Sequence, residues 1–448
     1  MTVDEAPVQP ASPQGGLLAR HPLISFLSNL LIVGVPALLV AVSCGSGDQS
    51  ATEDTDESAT AFGSEDAENL PPIHAGGGGG DQTPVLMRVV APPEPVKGSD
   101  GVFHLVYELE LTNSSPGTAT VESVEAIDPS SGEVVGTLAD GDLASRTTLL
   151  GNISGETTTE IGSGQAAFVF LDVTFEDPGD VPEAIEHRLE ASFEIPAAFA
   201  RNLFPSTTTE TGGPTGVLRE EPVVLGPPLE GADWVAFNGC CTVSPHRGAI
   251  IAIDQRLLVA ERYAIDWNKA DDEGRVVVGA PDDPEDLESY PPYGERILSV
   301  ADGQVVKVIE GYPDVTPGEQ DTSLKLEDAG GNHVIVDIGN GRYAFYAHLK
   351  PESIEVEEGD RVTRGQELAQ LGNSGNTTAP HLHFHVMDAP TPFGADRNLP
   401  YVFDAFDYQG SVKEDATPDN VTLDLLTTPE PRKDELPLAN SAVTFSAP

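Results

Sequence analysis

Positive charge is scarce in this sequence. Its 448 residues include 23 lysines and arginines against 73 aspartates and glutamates, which gives a formal net charge of −50. A surface with this charge repels the phosphates of nucleic acids and of anionic lipids. We therefore expect no nucleic-acid partner, and no binding of the folded domains to an anionic membrane.

Cysteine is scarce as well, with three residues in the chain. The first, Cys44, directly follows an uncharged apolar run, Pro22–Ser43, which begins shortly after Arg20. An apolar run that closes on small residues and then cysteine resembles a bacterial lipoprotein signal, whose cysteine is lipidated after cleavage. The run is also long enough to cross a bilayer as an uncleaved anchor. Both alternatives for residues 1–44 predict export and attachment to a membrane.

The other two cysteines are adjacent, in the sequence NGCCTVSPH. Adjacent cysteines bridge only through a strained ring, because ordinary disulfide geometry needs more separation. Cys240 and Cys241 are therefore interpreted as two thiols or as a bridge between neighbours. A third alternative is a soft metal ligand a few residues before His246.

Helical periodicity is almost missing from the chain, whereas short apolar or alternating runs such as FHLVYELELTN and AAFVFLDVTF recur between turn residues. This pattern predicts an all-β protein, with an N-terminal β-sandwich followed by a domain built on an antiparallel β-sheet. The predicted boundaries are 45–81 for a disordered acidic and Gly-rich linker, 82–203 for the sandwich, 204–221 for a second linker, 222–406 for the second domain and 407–448 for an acidic extension that wraps the surface.

The densest histidine cluster lies in PHLHFHV, Pro380–Val386. Side chains alternate between the two faces of a strand, so His381, His383 and His385 share one face and the apolar residues between them share the other. From this segment alone, the histidines are either solvated or part of a site for metal or catalysis.

The sequence around this cluster resembles peptidase family M23, the lysostaphin-like zinc metallopeptidases. GNSGNTTAPHLHFHV is similar to the family's SGxSTGxHLHFE motif, and YAFYAHL and EEGDRVTRGQ are similar to its YAHL and GDxVxxGQ segments. SVADGQVVKV and YAIDW are similar to two earlier strands, and all these pieces run in family order over residues 262–388. The resemblance implies a metallopeptidase-like second domain, a Zn²⁺ cofactor and peptidoglycan peptides as substrates.

The resemblance also implies roles for particular residues. His383 and Asp266 match zinc ligands, and His348 and His381 match the two catalytic histidines. His385 stands where the family usually has glutamate and matches no ligand. This set agrees with the chemistry of catalytic zinc, which takes three protein ligands and leaves one position for water.

One family ligand is replaced. The histidine expected four residues before Asp266 is Arg262, and a guanidinium cannot bind zinc. We expect two β runs joined near Asp254–Arg256 to pair antiparallel, which would bring His246 opposite the Asp266 strand as the substitute ligand. Cys240 and Cys241 are further donors within reach. If none of these residues substitutes, Arg262 would neutralise Asp266 in a degenerate enzyme.

The remaining histidines and acidic loops are interpreted as structural or solvated. His333 begins a strand, His104 and His187 belong to the sandwich, and the loops 271–273 and 282–288 are acidic.

Three functions follow from the sequence. The first is a zinc metalloendopeptidase of the periplasm or cell surface that hydrolyses peptidoglycan cross-links by metal-activated water. The second is a metal-free M23 domain that acts as a wall-binding or regulatory scaffold. The third is a lipid-anchored adhesion module that works through the sandwich.

Overall fold

The computed structural model describes residues 81–447, apart from 153–154, 199, 278–285, 320–322, 414–415 and 417–420. The predicted signal at 1–44 and nearly all of the predicted linker at 45–81 lie outside these residues. In the part described, no helix is long and apolar enough to cross a membrane.

The described chain is nearly all β, as the sequence predicts. Helix is limited to α1 (Asp140–Ser145), α2 (Pro245–Gly248) and four single turns of 3₁₀ helix among the described residues (Pro178–Asp180, Ala200–Asn202, Leu287–Ser289 and Leu326–Asp328). The strands form two units that we call the sandwich and the second unit.

The sandwich consists of two antiparallel sheets. Its described strands, in chain order, are β1 (Val85–Val89), β2 (Pro95–Lys97), β3 (Phe103–Asn113), β4 (Thr118–Ile127), β5 (Val134–Ala139), β6 (Thr147–Leu149), β7 (Glu160–Ile161), β8 (Ala166–Phe175), β9 (Ala184–Glu194) and β10 (Thr207–Gly216). One sheet has the order β1-β3-β8-β6 with β2 also on β3, and the other has the order β10-β9-β4-β5 with β7 on β4. Their facing side chains, such as Leu109, Val169 and Leu189, form a buried core.

The predicted linker at 204–221 is wrong over most of its length. Thr207–Gly216 is β10, which pairs antiparallel with β9 as an edge strand of the sandwich. The polar and Gly-rich composition of TTTETGG suggested a loop. Its threonines, however, are β-branched and favour a strand. The glycines and Pro214 lie at a register shift between Gly212 and Thr215, where an edge strand tolerates them.

The second unit is built on one large sheet. Its described strands are β11 (Val223–Leu225), β12 (Gly231–Phe237), β13 (Ile250–Ile253), β14 (Arg256–Val259), β15 (Ile265–Lys269), β16 (Arg275–Val276), β17 (Arg296–Leu298), β18 (Gly303–Ile309), β19 (His333–Gly339), β20 (Arg342–Ala347), β21 (Arg361–Val362), β22 (Glu367–Gln370), β23 (Leu382–Met387), β24 (Asn398–Leu399), β25 (Tyr401–Phe403), β26 (Phe406–Val412), β27 (Val421–Arg432) and β28 (Ser441–Phe445). The main sheet runs β16-β27-β26-β28-β12-β15-β23-β20-β19-β18-β21, with β24 on β23. Three pairs complete the unit: β11 with β25, β13 with β14, and β17 with β22.

The C-terminal residues do not wrap the surface as predicted. β26, β27 and β28 continue the main sheet, and β28 lies between β12 and β26. Ala442 and Val443 on β28 are fully buried. Apolar side chains in SAVTF explain the insertion, because burying them stabilises a central strand more than an exposed one. The predicted boundary at residue 407 therefore divides a single sheet.

The predicted hairpin before Asp266 is confirmed in part. β13 and β14 pair antiparallel, and Asp254 and Gln255 form its two-residue turn with positive φ. The first arm begins only at Ile250, however, and residues 245–248 form helix α2 instead of a strand. Pro245 and the Ser244 side chain, which accepts a hydrogen bond from Arg247 N, favour a helical start there.

Candidate metal centre

Three neighbouring strands of the main sheet bring the candidate residues together. Asp266 on β15 lies directly opposite His383 on β23, and Ala347, the last residue of β20, lies opposite His383 on the other side. His348 follows Ala347 with φ +64°, which breaks the strand alternation, and its ring centroid lies 5.9 Å from that of His383. Because directly opposed side chains in a sheet are in contact, this register builds a common site.

The alternation predicted for PHLHFHV is confirmed, but its histidines are not solvated. Leu382, Phe384 and Val386 belong to the main core of the second unit. On the other face, His381, His383 and His385 are 9%, 5% and 0% exposed. Buried imidazoles need polar partners, so these three rings must be held by hydrogen bonds or bind a ligand.

One carboxylate oxygen is the centre of this site. Asp266 Oδ1 lies 3.2 Å from His246 Nε2, 3.1 Å from His383 Nδ1 and 3.3 Å from His381 Nε2. The other oxygen, Oδ2, accepts a hydrogen bond from Asn238 Nδ2 at 2.7 Å. Asn238 therefore fixes the rotation of the carboxylate and leaves Oδ1 facing the imidazoles.

His246 reaches the centre from helix α2, not from the strand that the sequence predicted. Although burial lowers it, Asp266 raises the pKa of His246 to about 9, so the ring is charged when only Asp266 faces it. Its Nδ1 donates to the carbonyl oxygen of Ala264 at 3.1 Å, so the neutral form that a metal ion binds carries no proton on Nε2. The unprotonated nitrogen is then Nε2, which lies 3.2 Å from Asp266 Oδ1. This is the tautomer that a metal ligand requires.

The donor set fits a divalent metal ion. His246, Asp266 and His383 each offer a ligand atom, and these atoms lie within 4.8 Å of one another. Donors around tetrahedral zinc at 2.0–2.1 Å are separated by about 3.3 Å, close to the 3.1 and 3.2 Å from Asp266 Oδ1 to its two imidazole partners. Two imidazoles and one carboxylate are also the ligand types of catalytic zinc.

His348 and His381 form a pair beside these three residues, with ring centroids 4.7 Å apart. His348 Nδ1 donates to the carbonyl of Ser374 at 2.8 Å, and His381 Nδ1 donates to that of Ala379 at 2.8 Å. Both rings therefore present Nε2 to the site. The backbone of His348 has φ +64°, a left-handed conformation that costs a non-glycine residue about 1–2 kcal/mol.

Electrostatics in the site follow from burial and proximity. Burial alone would raise the pKa of Asp266, but the charges of His246 and His381 hold it well below its usual range. Burial and the neighbouring His381 and His383 hold the pKa of His348 well below its usual range. At neutral pH, His348 is accordingly an uncharged imidazole and Asp266 an ionised carboxylate.

His385 contacts His383, and the sequence did not predict this contact. Its Nδ1 lies 2.9 Å from His383 Nε2, and it is fully buried. Burial and the adjacent His383 hold the pKa of His385 well below its usual range, so the ring is neutral and one nitrogen can accept. Neither His385 nor Asn238 was a predicted site residue, because the sequence alone does not show which side chains contact His383 and Asp266.

Arg262 does not neutralise Asp266, contrary to the alternative drawn from the sequence. Its Nη2 lies 2.6 Å from Glu108 Oε2 in the sandwich, and further N–H groups donate to the carbonyls of Ala91 and Pro92. A buried guanidinium needs a carboxylate partner, and Glu108 supplies it.

The adjacent cysteines are joined to each other by a disulfide. The interpretations as free thiols and as a soft metal ligand are therefore wrong. Cys241 also lies in a second group of possible donors with His104 and Asp172. A disulfide sulfur is not a thiolate, and His104 Nδ1 is hydrogen-bonded to Asp172 at 3.0 Å, so this group is an ion pair beside a disulfide.

The remaining described histidines have structural partners, as predicted. His333 Nδ1 donates to the carbonyl of Gly331, and His187 contacts Tyr107 Oη and the carbonyl of Gly213.

Part of the second unit is similar to a known protein family. Residues 287–394 match the sequence profile of Peptidase family M23. The peptidoglycan DD-endopeptidase ShyA of Vibrio cholerae is 38% identical over 71 residues, 16% of this chain and 16% of its own. ShyB of the same organism, also a peptidoglycan DD-endopeptidase, is 31% identical over 104 residues, 23% of this chain and 20% of its own. The chain thus spans about a fifth or less of the length of these relatives.

Solved structures with a similar chain include the catalytic domain of the prophage-encoded M23 protein EnpA from Enterococcus faecalis, determined as a point mutant. It is 20% identical, with a TM-score of 0.23, over 38% of this chain and 92% of that one.

Proposed function

We propose that this chain, which contains a domain of peptidase family M23, is a zinc-dependent endopeptidase that hydrolyses peptide bonds in peptidoglycan cross-links. The observation that carries the proposal is the approach of three imidazole nitrogens to Asp266 Oδ1 within 3.1–3.3 Å. The relatives ShyA and ShyB are peptidoglycan DD-endopeptidases, which supports peptidoglycan as the substrate in this proposal.

In this proposal, His246, Asp266 and His383 hold the metal ion. When bound, Zn²⁺ supplies Lewis-acid activation of water and polarises the scissile carbonyl. Asn238 keeps the carboxylate of Asp266 in the orientation that binding needs, through its hydrogen bond to Oδ2. His385 accepts the Nε2 proton of His383, which leaves the Nδ1 lone pair for the ion.

His348 and His381 act on the reacting groups. Each ring is held by a carbonyl at Nδ1, so each offers Nε2. His348 Nε2 accepts a proton from the attacking water. His381 in its protonated form donates to the oxygen that gains negative charge at the scissile carbonyl.

Export is part of the same proposal, since peptidoglycan lies outside the cytoplasm. The disulfide between Cys240 and Cys241 supports an oxidising compartment. We propose that residues 1–44 are a lipoprotein signal and that Cys44 is the lipidated residue. Mass spectrometry of the mature N-terminus tests this, because an unmodified Cys44 within an intact segment 1–44 would indicate an uncleaved anchor instead.

The experiment compares the full chain with His246→Ala and His348→Ala. We expect about one zinc per chain by elemental analysis, loss of zinc in His246→Ala, and retention of zinc in His348→Ala. Purified peptidoglycan should release new amino groups, the product of peptide-bond hydrolysis, only with the unaltered chain. A chelator should abolish this release and added zinc should restore it.

Other outcomes would favour the second predicted function. A chain that binds peptidoglycan without zinc and releases no amino groups is a wall-binding scaffold. Zinc bound equally by the unaltered chain and His246→Ala would show that His246 is not a ligand.

A further inference from the structure

Strand β3 of the sandwich is buried on both of its faces. Leu105, Tyr107 and Leu109 point into the core of the sandwich. The alternate residues Val106 and Glu108 are also 0% exposed, because the second unit covers them. Val106 belongs to the same buried core cluster as residues of the main sheet.

Glu108 on this covered face binds two arginines of the second unit. Its Oε1 accepts from Arg247 Nε at 3.2 Å and Nη2 at 3.0 Å. Its Oε2 accepts from Arg262 Nε at 3.1 Å and Nη2 at 2.6 Å. Glu108 and Arg247 are 0% exposed and Arg262 is 4% exposed, so these are charge-assisted bonds removed from water.

The first arginine adjoins a residue of the metal centre. Arg247 follows His246 in the four-residue helix α2. Its Nη1 donates to the carbonyl of Cys241, and Nη2, which also bonds Glu108, donates to those of Tyr107 and Leu171, each at 3.0 Å. With these partners the guanidinium is fixed in one position, and the short helix that carries His246 is attached to the sandwich.

The second arginine lies two residues before Ala264, whose carbonyl accepts the Nδ1 proton of His246. Glu108 therefore holds the helix that carries the imidazole and also the segment whose carbonyl orients it. Arg262 stands at the position where the family resemblance expects the first histidine ligand. In this chain Arg262 binds Glu108 of the sandwich instead, and the imidazole beside Asp266 is supplied by His246.

We propose that Glu108 is a positioning residue for the zinc centre: through Arg247 and Arg262 it fixes the place and orientation of His246, so the sandwich is a required part of the metal site. This inference rests on the proposed function and adds a role for the sandwich within it. It also means that residues 222–448 alone would lack the group that orders one ligand.

The test measures zinc dissociation constants of the full chain by competition with a chromogenic chelator. Glu108→Gln keeps the shape of the side chain but removes its charge. Loss of a group that orients a metal ligand typically weakens binding 10–100-fold, and we expect a change of that size. The matched control is Glu110→Gln on the same strand, because Glu110 pairs with the exposed Arg88 and touches no residue of the centre.

A double variant distinguishes a role of Glu108 in positioning His246 from a general role in stability. If Glu108 acts through His246, then Glu108→Gln should leave unchanged the weak residual zinc affinity of a His246→Ala chain, which is measured at higher zinc concentration because this chain loses its zinc on purification. An equal loss in both backgrounds, or zinc affinity in Glu108→Gln that matches the unaltered chain, would overturn the inference. Absence of zinc from the unaltered chain would instead overturn the proposed function, and this inference with it.

Arg262→Gln gives a second measurement if Glu108→Gln does not fold. This variant retains the ion pair between Glu108 and Arg247. It removes only the contact between Glu108 and residue 262, which orders the segment before Ala264. We expect about 10-fold weaker zinc binding, in the lower range for such contacts. Unchanged binding by this folded variant would contradict the proposal.

Discussion

Gly331 and Gly375 are in contact beside Ser374, whose carbonyl holds His348, and alanine at Gly331 tests how His348 is oriented. A Cβ atom on Gly331 would lie 2.4 Å from the carbonyl carbon and oxygen of Ser374 and 2.6 Å from Gly375 N. That Ser374 oxygen is the acceptor of His348 Nδ1, and the neighbouring carbonyl of Gly330 accepts from His348 N at 3.0 Å. Gly331→Ala must therefore displace the groups that orient His348.

The cost of Gly331→Ala has two parts. Gly331 has φ +55°, and alanine in a left-handed conformation costs about 1–2 kcal/mol. Overpacking against fixed backbone adds about 1–3 kcal/mol, for a total loss of about 2–5 kcal/mol in the free energy of unfolding. Gly341 is a matched control, because its φ is +69° and nothing lies within 4 Å of its added Cβ, so only the first cost applies.

The assay is urea unfolding of the full chain and both variants, together with the rate of amino-group release from peptidoglycan. We expect Gly331→Ala to lose at least about 1 kcal/mol more than Gly341→Ala, and to lose kcat while zinc stays bound. Equal unfolding free energies for the two variants would refute the reasoning, since the overlap with Ser374 would then cost nothing. Full activity in Gly331→Ala would show that the Ser374 carbonyl does not orient His348.

Three further predictions address other parts of the molecule. Although burial lowers it, two carboxylates raise the pKa of His104 to about 9, so its stabilising effect is complete below about pH 6.5 and lost as the pH rises through about 9. His104→Gln should therefore remove up to about 3 kcal/mol from the free energy of urea unfolding at pH 6 and little at pH 10, and parallel pH profiles for the two proteins would contradict this. His385→Phe removes the hydrogen-bond partner of His383 Nε2 and should weaken zinc binding about 10–100-fold in the chelator assay, whereas His385→Asn, which keeps an acceptor, should lose less. Arg262→His should not restore zinc binding to His246→Ala, because the side chain at 262 contacts the sandwich and not Asp266; recovery in the same assay would show that this position can still reach the ion.

The local pattern of the sequence predicted much of the fold and of the site. The two-residue period of a strand predicted that His381 and His383 share a face, because the alternation of side chains does not depend on distant contacts. The turn at Asp254 and Gln255 was also predictable, because turn preference is local. The gathering of Asp266, His383 and His348 was expected through family resemblance: the register of β15 and β23 places Asp266 opposite His383, and His348 follows the end of β20 with positive φ.

Long-range features were not predictable in the same way. Glu108 and Arg247 are 139 residues apart, and no local pattern shows that they meet. The polar composition of Thr207–Gly216 predicted a linker, but pairing with β9 outweighed it. His246 was expected to approach Asp266 by strand pairing, whereas Pro245 and Ser244 begin a helix there, so the two side chains are close together through a different geometry from the one predicted.

The position of β28 has a consequence for biosynthesis. This strand pairs with β12, and β12 in turn pairs with β15, the strand that carries Asp266. About two hundred residues separate the partners β12 and β28, so a chain emerging from the ribosome or a secretion channel leaves β12 with an open edge until residue 445 has passed. The sheet around Asp266 is therefore complete only after β28 has been synthesised and has paired with β12.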